Sequence, residues 1–160
     1  MEVVLFEPEI PPNTGNIARL CAVTGTRLHL IEPLGFRLED RYLKRAGLDY
    51  WPHVQLSVWP DMEAFCRDWH ATRPNARLVI TSSKKGGSPA HRFAYRKDDI
   101  LLFGKETAGL PEEVKALSPH HVRIPMLKEH GRCLNLSTSC GIVLYLALAS
   151  SGMLDGEEWS

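Results

Sequence analysis

Short apolar runs alternate along this chain with segments whose apolar residues recur at helical spacing, and that alternation restricts the fold more than any other feature. Glu2–Phe6, residues 28–31, Leu78–Thr81 and Ile100–Phe103 are four or five residues long and dense in Val, Ile, Leu and Phe. That length and composition suit buried strands rather than helices. Between them, Asn13 or Thr14 caps a helix through Ile17, Leu20, Cys21 and Val23, which Gly25 ends. A charged helix is expected over residues 39–46, stopping at Gly47, and a strand over 54–58. Asp61 caps a helix over 62–70 whose Met62, Phe65, Cys66 and Trp69 fall at helical spacing. A short helix over 111–117 and a long apolar one over 136–152 complete the pattern. Strands alternating with helices predict an α/β domain with a mostly parallel sheet. Without an internal repeat or a linker, residues 1–160 read as one domain.

The 160 residues, 44% of them hydrophobic, are enough for one proper core. Nineteen basic residues balance nineteen acidic ones, so net charge points to no particular partner. The last ten residues hold Asp155, Glu157 and Glu158 but no base, leaving a slight basic excess upstream. Any nucleic-acid contact must therefore come from local patches. The candidates are Arg41, Lys44, Arg45, Lys84, Lys85, Arg92, Lys128 and Arg132. Glu2, Glu7 and Glu9 occupy the place of an export signal's basic and apolar regions. The longest apolar stretch, 141–154, is shorter than the roughly 20 residues of a membrane span. Cys21, Cys66, Cys133 and Cys140 form no C-x-x-C pair and lack His partners at zinc-like spacing. A cytoplasmic protein with reduced thiols, no metal and no membrane contact is expected.

Familiar nucleotide motifs fail. No G-x-G occurs, and Gly104-Lys105 lacks a P-loop's following Ser/Thr and carries Asp99 where the earlier Gly belongs. Three other blocks hold. In Pro12-Asn13-Thr14-Gly15-Asn16-Ile17-Ala18-Arg19, a helix N-terminus presents N–H groups with Arg19 further along, an arrangement that suits an anionic group such as phosphate. In Phe103-Gly104-Lys105-Glu106-Thr107-Ala108-Gly109-Leu110, two glycines flank a polar tetrad after a buried strand. Gly104 would let a flat ligand approach the backbone, and Glu106 would orient a neighbouring polar group. The third block joins Ile124, Pro125, Met126 and Leu134 to Asn135, Ser137 and Thr138. An apolar wall with a few convergent polar groups suits an adenosine-like ligand.

Asn13-x-Gly15-x-x-x-Arg19, Phe103-Gly104-x-Glu106-x-x-Gly109-Leu110, and Ile124-Pro125-Met126 with Leu134-Asn135-Leu136-Ser137 resemble the three motifs of the SPOUT (SpoU–TrmD) RNA methyltransferases. The segments 7–16, 30–36 and 44–50 narrow the resemblance to the TrmL branch, which 2′-O-methylates the wobble nucleotide of leucine tRNAs. The resemblance implies an α/β fold with helices on both faces of the sheet and a C-terminal deep trefoil knot, its knot and cofactor loops within about 78–150. It also implies S-adenosyl-L-methionine as cofactor, tRNA as partner, and a homodimer in which the partner subunit completes each site. Arg19 matches the family's catalytic arginine. Thr81, Gly104, Ile124, Met126, Cys133 and Leu134 match cofactor contacts, and Glu106 is placed with them. Arg132 and Tyr145 match positions linked to tRNA binding, and Asn135 joins them. Cys133 departs from the Ser expected there, which matters only if that contact runs through the side chain.

Overall fold

A computed structural model describes residues 1–41, 43, 45, 50–82, 86–127, 129 and 133–159. Seven strands form one sheet: β1 (Glu2–Phe6), β2 (Arg27–Ile31), β3 (Leu56–Trp59), β4 (Leu78–Thr81), β5 (Ser88–Pro89), β6 (Ile100–Phe103) and β7 (His121–Arg123). Their spatial order is β3-β2-β1-β6-β4-β7-β5, and every pair is parallel. Parallel strands need crossover connections, which here carry the helices α1 (Pro11–Thr24), α2 (Met62–Thr72), α3 (Glu112–Lys115) and α4 (Leu136–Ser150).

The strand residues divide strictly by parity, because successive side chains point to opposite faces. Val3, Leu5, Leu101 and Phe103 join Ile17, Ala18 and Cys21 of α1 and Val143, Leu144, Ala147 and Leu148 of α4. Val4, Phe6, Ile100 and Leu102 join Phe65 and Trp69 of α2 and Val114 of α3 on the other face. Burial on both faces is why these strands read as unbroken apolar runs rather than alternating ones. The helices thus cover both faces, as expected.

Two expected signals stand. Asp61 caps α2, its carboxylate accepting the Ala64 N–H at 2.7 Å, and Gly25 ends α1 at φ 63°. Several boundaries differ from the sequence reading, α2 running to Thr72 and α4 ending at Ser150 among them. Strand β3 starts at Leu56 because a 3-10 turn over Trp51–His53 captures the Val54 N–H on the Trp51 carbonyl. The short helix covers only Glu112–Lys115, with Pro111 as its extended N-cap. Strands β5 and β7, two and three residues long, carry too little pattern to be read in advance. Residues 41, 43 and 45 have helical backbone, whereas most of the remaining expected helix over 39–46 and its Gly47 stop lie outside the described residues.

A polar network ties β1, β2 and β3 to the segment that follows α2. Trp59 Nε1 donates to His29 Nδ1 at 3.0 Å, so the neutral ring carries its proton on Nε2, which meets Glu2 at 2.8 Å. Arg73 bonds both Glu2 oxygens at 3.0 and 2.7 Å. Burial raises the Glu2 pKa, but the His29 hydrogen bond and the Arg73 charge outweigh it and hold the carboxyl below its ordinary value.

Candidate functional site

In an open parallel sheet the loops leaving the strands' carboxyl ends gather at one edge, where ligands bind. The loops after β1, β6, β4 and β7 do so here. Leaving β6, the chain makes a tight turn: Gly109 N–H donates to the Lys105 carbonyl at 2.9 Å, and the two residues form an isolated bridge. Gly109 has φ 67°, where a side chain would be strained. A Cβ on Gly104 would lie 2.5 Å from the Gly109 carbonyl carbon and 2.7 Å from Leu110 N. Gly104 is therefore required by its own turn. That is a nearer cause than the ligand approach expected from the sequence.

Helix α1 starts at Pro11, with Ile10 as N-cap and no local side chain capping it. Asn13 and Thr14, expected as caps, sit inside the first turn. The capping role falls instead to Glu106, 96 residues away. Its carboxylate accepts the Glu9 N–H at 2.8 Å, the Ile10 N–H at 3.1 Å and the Asn13 side-chain amide at 3.3 Å. Asn13 Oδ1 in turn accepts from Asn135 Nδ2 at 2.9 Å, while Asn135 Oδ1 caps α4 through the Ser137 N–H at 2.8 Å. One chain of hydrogen bonds thus joins all three sequence blocks. Glu106 serves as a positioning group whose oxygens are already engaged by α1.

These loops enclose a pocket of about 470 Å³, within the range of small-molecule and cofactor sites. Thr81, Gly104, Glu106, Ile124, Met126, Cys133, Leu134 and Asn135 all line it, so eight of the eleven residues selected from the sequence converge in space. Ile124, Met126, Leu134 and Leu136 supply an apolar wall, and the 104–109 turn supplies backbone. The buried Thr81 hydroxyl has no hydrogen-bond partner among the described residues.

Two selected residues stand apart. Arg19 does not line the pocket. It is exposed six residues beyond Asn13, about 9 Å along the axis of α1. Its guanidinium lies 4.6 Å from the centre of the Tyr50 ring and donates to the Tyr50 hydroxyl at 3.2 Å. Tyr145 is exposed on α4. Arg132 lies outside the described residues, as do Lys44, Lys84, Lys85 and Lys128, whereas Arg41, Arg45 and Arg92 are exposed. Sequence reasoning missed Glu9, Thr107 and Tyr50 as members of the site. Nothing local marks Glu9 or Thr107, because the contact between them spans 98 residues.

The four cysteines are free thiols, with Cys21 and Cys140 buried and Cys133 exposed at the pocket. Burial pushes the Cys21 thiol up to about 12. No group of three or more His, Cys, Asp or Glu among the described residues could hold a metal ion. No helix among them is long and apolar enough to cross a membrane.

The SpoU rRNA Methylase family model matches residues 1–145. The chain belongs to the SpoU methylase family. It is accordingly a SPOUT-class methyltransferase. A Methylovorus glucosotrophus tRNA (cytidine(34)-2′-O)-methyltransferase is 50% identical over 149 residues, 91% of this chain and 92% of that protein. The enzyme of the same name from Escherichia coli K12 is 44% identical over 155 residues, covering 95% and 94%. A structure solved to explain the 2-OH methylation of C/U34 on tRNA superposes with a TM-score of 0.87 at 43% identity, covering 95% of this chain and 96% of that one. The AdoMet-bound rRNA methyltransferase of Sinorhizobium meliloti superposes with a TM-score of 0.82 at 25% identity, over 92% of this chain and 55% of its own. The seven-stranded parallel sheet with helices on both faces is consistent with the knotted α/β fold of these enzymes.

Proposed function

We propose that the protein transfers a methyl group from S-adenosyl-L-methionine to the ribose 2′-oxygen of the wobble nucleotide, cytidine or uridine 34, of leucine tRNAs in the cytoplasm. The observation that carries this reading is the pocket. Three loops distant in sequence enclose a nucleoside-sized, largely apolar space in a chain 44–50% identical to tRNA (cytidine(34)-2′-O)-methyltransferases. The residues present fit the cofactor. Ile124, Met126 and Leu134 offer an apolar wall for a flat purine, the rigid 104–109 turn offers backbone, and the Thr81 hydroxyl is a polar atom without an internal partner. Bound there, the cofactor supplies an electrophilic methyl carbon: the 2′-oxygen forms the new C–O bond, the C–S bond breaks, and the sulfur keeps the electron pair as S-adenosylhomocysteine leaves.

The chain's own part is positioning and charge. A ribose hydroxyl is a poor nucleophile, so loss of its proton or stabilisation of its developing negative charge must accompany attack. Arg19 is an unsuitable base, because a guanidinium is a donor with no free lone pair to take the hydroxyl proton. Its planar fork suits a phosphate beside the target ribose. A guanidinium held there lowers the 2′-hydroxyl pKa, and the proton passes to water. Orientation by rigid loops can contribute up to roughly 7–11 kcal/mol in favourable cases.

Because Arg19 lies outside its own chain's pocket, we read the working unit as a homodimer. Helices α1 and α4 lie side by side, and their outward faces expose Arg19 and Val23, and Ile142 and Tyr145. A second copy covering this face would bury the apolar Val23 and Ile142 and bring one subunit's Arg19 toward the other's pocket, with Tyr145 left at the rim. Tyr145, Asn135 and Arg132 would then border the tRNA. The test is methyl transfer from labelled S-adenosylmethionine to unmodified leucine tRNAs, with the modified nucleotide mapped by mass spectrometry. A single 2′-O-methyl at position 34 is expected. Label at another position would move the substrate, and cofactor binding without label would indicate an RNA assembly factor.

A further inference from the structure

Besides the Glu106 cap, a second set of contacts joins the loop after β1 to the turn after β6. Glu9 accepts the Thr107 N–H at 3.0 Å and the Thr107 hydroxyl at 2.9 and 3.0 Å. Since Glu106 takes the Glu9 N–H, the two glutamates cross: each carboxylate holds backbone beside the other. Glu7 adds an ion pair to Lys105 at 2.7 Å. Glu7 is also the only non-glycine among the described residues with positive φ, at 45°. Such a conformation persists only where the surroundings over-determine it.

The backbone on either side of this clasp is closely packed. Behind the 7–10 segment, Gly35 donates to the Pro8 carbonyl at 2.9 Å, and its backbone is so close that a Cβ there would lie 2.7 Å from Glu9 Cα. In front, the 105–109 turn is closed by its own hydrogen bond and packed on Gly104. That turn lines the pocket through Lys105, Thr107 and Ala108, and Glu9 leads directly into the helix that carries Arg19.

We propose that Glu9 and Thr107 are positioning residues that couple occupancy of the pocket to the placement of α1 and its Arg19. A ligand resting on the 105–109 turn orders the start of α1 through the crossed glutamates. By reciprocity, RNA held by α1 tightens the pocket. This rests on the pocket's being the cofactor site.

Hydrogen exchange tests it in the wild type, Glu9→Ala, Glu9→Gln and Thr107→Val, with S-adenosylhomocysteine as the probe. In the free protein, Glu9→Ala speeds exchange in segments 9–14 and 104–110 together; acceleration confined to one overturns the latch, whether or not the probe binds. With probe, wild-type 9–14 exchange slows by about tenfold and Glu9→Ala loses that slowing, while probe Kd moves by less than about threefold. Glu9→Gln retains most of the slowing, since its amide oxygen still accepts the Thr107 N–H, and Thr107→Val shows an intermediate loss. Methylation by Glu9→Ala falls roughly 10–100-fold in kcat at nearly constant KM for the cofactor. Unchanged slowing in Glu9→Ala, or Kd weakening in step with kcat, overturns the proposal. A probe that does not bind the wild type defeats the cofactor-site reading instead.

Discussion

Replacing Glu106 with Ala removes the only side chain among the described residues that caps α1 and leaves three donors behind: the Glu9 and Ile10 N–H groups and the Asn13 amide. The Ile10 bond is solvent-exposed and the other two are partly buried, so water replaces part of what is lost. Counting the Glu9 bond as one charge-assisted interaction and the rest as an ordinary helix cap gives a destabilisation of about 2–3 kcal/mol. For a chain of this size that lowers the melting temperature by about 5–10 °C. Glu106→Gln refines the reasoning. With its oxygen kept on Ile10 and Asn13, the new NH₂ faces the Glu9 N–H, donor against donor, so Gln should recover no more than about half of the loss. Thermal unfolding followed by circular dichroism, with a urea series at 25 °C as a second measure, reads both variants. An Ala variant melting within about 1 °C of the wild type, or a Gln variant indistinguishable from it, would refute the idea that α1 is capped from the β6 loop.

Other consequences are equally direct. Gly104→Ala places a methyl 2.5 Å from the Gly109 carbonyl carbon and forces the turn open. S-adenosylmethionine affinity by calorimetry should fall at least about tenfold, and an unchanged Kd would separate the turn from the pocket. Arg19→Ala should lose at least about 100-fold in kcat while keeping cofactor affinity, with Arg19→Lys a partial substitute; wild-type turnover in the Ala variant removes Arg19 from the reaction. The depressed Glu2 pKa adds stability that is fully present above its ordinary value of 4.5 and disappears as pH falls through the lower folded-state value. Melting temperature should therefore drop more steeply below pH 4.5 in the wild type than in Glu2→Gln, and parallel acid limbs would count against it. Under iodoacetamide, exposed Cys133 should react first and be slowed by S-adenosylhomocysteine, whereas buried Cys21 and Cys140 stay inert until unfolding. Unprotected Cys133, read by mass spectrometry, would place the ligand elsewhere.

Pattern by itself carried the α/β class with a mostly parallel sheet. β1, β4 and β6 are buried on both faces, so each announces itself as a continuous apolar run, and the intervening helices show their own period. The same pattern could not locate β5 or β7, because two or three residues held by ladder bonds have no period to display. Gly104, Glu106, Ile124, Met126, Leu134 and Asn135 were legible because they stand in blocks at strand ends that the sequence marks with Gly and Pro, whereas Thr81 and Cys133 came from the family resemblance alone. What those residues do there was less so. A glutamate 96 residues from a helix gives no local sign that it will cap it, and Asn13 looked like a cap because Asn usually is one. Gly104 shows the same division: its identity marks a tight place, but only the folded turn reveals that the obstacle is Gly109 rather than a ligand. Periodicity and turn chemistry are properties of neighbours along the chain, and they determined the layers. The crossed glutamates and the separation of Arg19 from its own pocket depend on which distant backbone donors meet, and tertiary packing alone decides that.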